Sequence, residues 1–110
     1  MTTVVICKDK DGLYKGFYCM GHALFAEEGE PDILCAAVSA LTIATINGLE
    51  ELAGEKLSAV SNDETGFLKC DFHSILQEKS VFLMDTMVLA LETLSREYGT
   101  QFLQVNFKEV

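Results

Sequence analysis

The chain has no tryptophan, one proline and two histidines in 110 residues, and only eight lysines and arginines against seventeen aspartates and glutamates. The shortage of cations leaves a net charge of −9, so the surface repels a phosphate backbone and direct nucleic-acid binding is not expected. Cys7, Cys19, Cys35 and Cys70 include no CxxC pair, which removes the usual spacing of a zinc ribbon or a dithiol redox protein. The P-loop, the GxGxxG fingerprint, HExxH and GxSxG are all missing, and with them the ordinary supports for nucleotide binding, zinc hydrolysis and esterase chemistry. No apolar run approaches the ~20 residues needed to span a bilayer, and TTVVI stands where a basic and then apolar leader would. A cytoplasmic chain with reduced thiols is the expectation.

What is present suits a packed core. Hydrophobic residues make up 49% and charged residues 23%, with a mean hydropathy of +0.23, which argues against disorder and for one domain over residues 1–110. Thr2–Cys7 reads as a β-branched strand, Lys8–Gly12 as a turn ending in the hairpin signal Asp11-Gly12, and Leu13–Met20 as a second strand. Residues 21–32 form an acidic loop with Gly21, Gly29 and Pro31. Its stretch from Leu24 to Pro31 has the composition of a lid. Asp32 suits the N-cap of a helix from Ile33 to about Leu52, which is apolar nearly all round its first half and so expected to be largely buried. Leu57–Ser61 and Phe67–Phe72 read as strands around the turn Asn62–Gly66. Ser80 can cap a second helix reaching Tyr98, with Met84, Met87, Val88, Leu91, Leu94 and Tyr98 in one stripe. Leu103, Val105 and Phe107 alternate with polar residues in a fifth strand. The class that follows is α+β, a two-layer ββαββαβ fold. Its five-stranded sheet is mainly antiparallel or mixed, with both helices on one face.

Chemistry-bearing residues converge on one stretch. His22 follows a strand end, and Cys35 falls in the first turn of the long helix, with Asp32 at i−3 and Ser39 at i+4. A helix start stabilises thiolate over thiol, a neighbouring imidazole supplies a proton acceptor and donor, and the free N–H groups there can receive an oxyanion. Asp32 or Ser39 could orient the histidine. Each residue also has a plainer reading. A cysteine in an Ala-rich helix is usually a small hydrophobe, and a loop histidine is usually just solvated. Cys19-x2-His22 with Cys35 offers three zinc ligands but no good fourth. Cys7, Cys19 and Cys70 read as buried, inert thiols, and His73 as a surface residue and the one competing base. The acidity suits a basic protein partner, or serves solubility alone.

Gly21-His22-Ala23, the acidic loop, and Asp32-Ile33-Leu34-Cys35-Ala36-Ala37-Val38-Ser39-Ala40-Leu41 together resemble the ribosomal-processing cysteine proteases (Prp) over the whole length. Two departures stand out: Gly29-Glu30-Pro31-Asp32 carries one residue more than the family's G-x-D, and Leu34 replaces a valine. The resemblance implies a cysteine endopeptidase with Cys35 as nucleophile and His22 as proton donor and acceptor. It places Asp32 and Ser39 in support, puts Gly21, Ala23 and Gly29 along the substrate loop, and requires no metal or organic cofactor. It also implies a homodimer that removes the N-terminal extension of the precursor of large-subunit ribosomal protein twenty-seven, cutting after two phenylalanines. Phe17, Tyr18, Leu24 and Phe25 are candidates for lining the pockets for those phenylalanines. A non-catalytic ribosome-assembly or peptide-binding factor using the same groove is the alternative.

Overall fold

The computed structural model describes residues 1–27 and 32–110. Five strands, β1 (Thr2–Lys8), β2 (Tyr14–Met20), β3 (Leu57–Asn62), β4 (Phe67–Phe72) and β5 (Leu103–Glu109), form one sheet in the order β3-β4-β2-β1-β5. Short turns make β1–β2 and β3–β4 antiparallel hairpins, whereas β5 returns after a long helix and pairs parallel to β1. The sheet is therefore mixed. Alternation puts Val4 and Ile6 of β1, Phe17 and Cys19 of β2, and Cys70 of β4 on one face. All are buried, and Phe17 pairs with both Ile6 and Cys70. The helices α1 (Ile33–Asn47) and α2 (Glu78–Tyr98) contribute Leu34, Val38, Ile46, Met84, Met87, Val88 and Leu91 to the same core.

α1 departs from the expected deep burial. Leu34, Val38, Thr42, Thr45 and Ile46 are buried, but Ala36, Ala40, Ile43 and Ala44 are exposed. An apolar composition on all sides does not say which side meets the sheet, and a helix lying on one layer can bury only one stripe. The buried threonines satisfy their hydroxyls within the helix: Thr42 Oγ1 donates to the Val38 carbonyl at 2.9 Å and Thr45 Oγ1 to that of Leu41 at 2.7 Å. With the π-helical turn Gly48–Leu52 that extends it, the helix reaches 20 residues, with a mean hydropathy of 1.6 over an 18-residue stretch of it. By length and composition it could cross a bilayer, against the expectation from the sequence. Here its buried stripe lies in the core instead. Gly48 faces α2 closely: a Cβ there would sit 3.0 Å from Leu83 Cδ2, so that side chain would have to shift to admit it.

The start of α2 also differs from the expected Ser80 cap. The helix begins at Glu78, and Ser80 is fully buried within its first turn. The capping acceptor comes from far away in sequence: Glu55, 7% exposed, accepts the Gln77 N–H at 3.0 Å. A carboxylate at a helix N-terminus meets both the unpaired N–H groups and the positive dipole end, and it displaces a weaker local hydroxyl cap.

Candidate active site

β2 ends at Met20, and Gly21 turns the chain so that His22 meets the first turn of α1. There Cys35 Sγ lies 3.8 Å from His22 Nδ1, with both residues partly buried. The two residues singled out by the sequence are thus brought into contact. The other ring nitrogen is occupied too: His22 Nε2 stands 3.0 Å from the carbonyl oxygen of Glu64, in the turn between β3 and β4. Sequence reasoning missed this partner. Asn62–Gly66 reads only as a turn, and a main-chain acceptor leaves no side-chain signature.

Asp32 is the helix cap. Its Oδ1 accepts the Cys35 N–H at 2.9 Å, its carbonyl accepts the Ala36 N–H at 3.0 Å, and its Oδ2 accepts the Phe25 N–H at 3.0 Å. Both carboxylate oxygens thus bind main-chain N–H groups, and no hydrogen bond joins Asp32 to His22 among the described residues. The Cys35 and Ala36 N–H groups are taken by this cap rather than left free for an oxyanion, as the bare sequence pattern suggested. Phe25 is held further by edge-to-face packing on Tyr98 and Phe102, at centroid distances of 5.1 and 5.2 Å.

A cleft of about 340 Å³ opens between α1 and the β3–β4 hairpin. His22, Cys35 and Ser39 line it, together with Gly21, the apolar Val38, Ile43, Phe67 and Leu68, and Asp63. Among the described residues no lysine or arginine does. The expected pocket aromatics lie elsewhere: Phe17 is buried in the core, Phe25 packs on Tyr98 and Phe102, and neither Tyr18 nor Leu24 borders the cleft. Strand alternation explains Phe17, which pairs with Ile6 and Cys70 beneath the helices. Ala23, expected on the substrate loop, is fully buried in the core, while Gly29 and the extra residue at Pro31 lie outside the described residues, as does half of the expected lid, residues 28–31.

The thiols separate by environment. Burial pushes Cys19 up to about 12, and burial with the nearby Asp71 and Glu50 carboxylates pushes Cys70 to about 12. Cys7 is only half-buried, contrary to expectation, because it faces the open side of the sheet. Its thiol is raised mainly by desolvation. The three-ligand zinc arrangement is not assembled: no group of three His, Cys, Asp or Glu side chains gathers among the described residues. His73 lies past the far end of β4, with Nε2 2.7 Å from Ser58 Oγ, and does not line the cleft.

The family model for cysteine protease Prp matches residues 1–103. The ribosomal processing cysteine protease Prp of Bacillus subtilis (strain 168) is 30% identical over 102 residues, 89% of this chain and 90% of that protein. Its namesake from Staphylococcus aureus (strain Mu50 / ATCC 700699) is 27% identical over 108 residues, 98% of this chain and 100% of that one. A crystal structure of the essential ribosomal processing protease Prp from S. aureus, with a covalently linked product peptide, superposes with a TM-score of 0.88 at 27% identity. It covers 98% of this chain and all of that one. A second S. aureus Prp structure, with a substrate peptide, gives 0.85 at 26% identity over 98% of this chain and all of that one. With a thiol and an imidazole in contact on the wall of an open cleft, and these relatives over nearly its full length, the chain belongs to the Prp family of cysteine proteases.

Proposed function

We propose that Cys35 and His22 form the catalytic pair of an endopeptidase that matures a ribosomal protein. The observation that carries this reading is the 3.8 Å approach of Cys35 Sγ to His22 Nδ1 beside an open cleft. In this scheme Nδ1 takes the thiol proton as Sγ attacks the scissile carbonyl, then delivers it to the departing amine. A thioester is left on Cys35, and water activated by the same nitrogen hydrolyses it. Asp32 holds the start of α1 in place, and Ser39 offers a polar group one turn further along the cleft wall.

The substrate in this proposal is the N-terminal extension of the precursor of large-subunit ribosomal protein twenty-seven, cut after a Phe-Phe pair. Val38, Ile43, Phe67 and Leu68 offer apolar walls for the phenylalanines, and a cleft with Asp63 and no cation among the described residues, on a chain of net charge −9, favours a basic ribosomal protein. A cytoplasmic homodimer completes the proposal, the dimer supported by apolar side chains exposed on α2 away from the cleft, Phe82 at 75% and Leu89 at 62%. The test incubates the protein and its Cys35→Ala form with the extended precursor. Cleavage after the phenylalanine pair by the parent alone is the expected result. Equal processing by both overturns the nucleophile, and tight binding without cleavage favours a peptide-binding factor.

A further inference from the structure

We infer that the β3–β4 turn is the third, positioning element of this site. The main-chain carbonyl of Glu64 holds His22 in the one neutral tautomer that can serve Cys35. The inference rests on the Cys35–His22 pair proposed above. A carbonyl oxygen carries no proton, so its 3.0 Å contact with Nε2 is a hydrogen bond only when Nε2 bears the hydrogen. A neutral imidazole has one N–H, and placing it on Nε2 leaves Nδ1 bare, with its lone pair available to the thiol 3.8 Å away. Once the thiol proton has moved to Nδ1, the ring is a cation and the same carbonyl accepts a charge-assisted bond, stronger than the one it accepted before. The contact therefore grows as charge develops on the ring, the condition under which an interaction accelerates a step rather than merely tightening binding.

The turn is shaped for this docking. Asn62 Oδ1 accepts the Glu64 N–H at 3.1 Å and Thr65 Oγ1 donates to the Asn62 carbonyl at 3.3 Å, which fixes the loop from within. The Thr65 carbonyl then accepts the Gly21 N–H at 3.2 Å, immediately before His22. Gly66 has φ +68, and a Cβ there would run into the Gly21 carbonyl oxygen and stand 3.3 Å from His22 Cε1. Glu64, Thr65 and Gly66 thus each touch Gly21 or His22. In many hydrolases a carboxylate orients the histidine. Here the carboxylate the sequence offered, Asp32, has both oxygens committed to the Cys35 and Phe25 N–H groups, and among the described residues no carboxylate is hydrogen-bonded to the His22 ring.

The decisive variant replaces the peptide bond between Glu64 and Thr65 by an ester through chemical ligation. This weakens the carbonyl as an acceptor and leaves every side chain in place. In a Cys35→Ala background, with His22 titrated to its neutral form, nitrogen-15 NMR should show the ring protonated on Nε2 in the amide protein and a mixture of tautomers in the ester. With Cys35 present, the ester should lower kcat on a peptide substrate by about ten- to a hundredfold, the range of one hydrogen bond to a charged group, and leave KM within about twofold. Gly66→Ala should act in the same direction and more strongly, but the conclusion does not depend on that variant folding. An unchanged tautomer ratio with unchanged kcat overturns the inference, as does a rise confined to KM. Full cleavage by His22→Ala would instead refute the Cys35–His22 pair itself, a result the ester comparison does not touch.

Discussion

Asp32→Asn separates two roles that sequence spacing leaves open, helix cap and helper of the histidine. In the parent one carboxylate oxygen accepts the Cys35 N–H at 2.9 Å and the other the Phe25 N–H at 3.0 Å. Asparagine is as good an N-cap as aspartate, but its single oxygen serves one donor and its NH2 group confronts the other N–H. A hydrogen bond to a charged group contributes about 1.5–3 kcal/mol, and Asp32 is partly exposed, so the lower end applies: Asn should cost about 1–2 kcal/mol. Alanine loses the cap as well, a further ~0.5–2 kcal/mol, for a total of about 1.5–4. In a chain of this size 1 kcal/mol moves Tm by about 4 °C, so the expected losses are about 4–8 °C for Asn and about 6–16 °C for Ala. Urea and thermal unfolding followed by circular dichroism would read them. The kinetic arm is sharper. A residue that only caps α1 should cost less than about tenfold in kcat on conversion to Asn, whereas a carboxylate that orients a catalytic histidine costs on the order of 10⁴. A 10⁴-fold loss with unchanged stability would show that Asp32 acts on His22 and that the hydrogen bonds described here are not the ones that matter.

The remaining expectations are shorter. At pH 8 a thiol raised to about 12 is ionised in only about one molecule in ten thousand, so iodoacetamide should leave Cys19 and Cys70 untouched until the protein unfolds. Rapid labelling of either in the native state, read by peptide mass spectrometry, would contradict their burial. Burial works to raise the Glu55 carboxyl, but the hydrogen bonds at the start of α2 outweigh it and hold the group below the usual 4.5. Its contribution is therefore present above the unfolded pKa and lost as pH falls through the folded one, so Glu55→Gln should flatten the loss of stability below about pH 4.5. An acid limb identical to the parent's would refute the linkage. His22→Ala should abolish cleavage while His73→Ala keeps it, and the reverse outcome would transfer the base to His73. Finally, rising salt should slow processing of the full basic precursor more than that of a short Phe-Phe peptide. Equal sensitivity would leave the −9 charge a matter of solubility.

Local rules carried the element order. β-branched runs, the turns at Asp11-Gly12 and Asn62–Gly66, and 3.6-residue periodicity place all five strands and α2 within about two residues of their positions, because each signal acts between near neighbours in the chain. The first helix reaches the expected Leu52 only through its π-helical turn. The pairing of His22 with Cys35 was legible for a similar reason: a strand end and a helix start, each marked by its own residues, along with a motif that resembles a known family. What remained hidden depends on contacts between distant segments. Glu55 caps α2 across 22 residues, and Ser80, the local candidate, is buried within the first turn. The carbonyl of Glu64 reaches His22 across 42 residues, and main-chain acceptors are the same at every position, so no residue type could announce it. Phe17 and Phe25 were eligible for a substrate pocket by chemistry alone. Sheet register sent one into the core, and packing on Tyr98 and Phe102 claimed the other, leaving the cleft to Val38, Ile43, Phe67 and Leu68. Hydrophobicity says that a side chain seeks cover, but the register and crossing of the elements select which surface provides it.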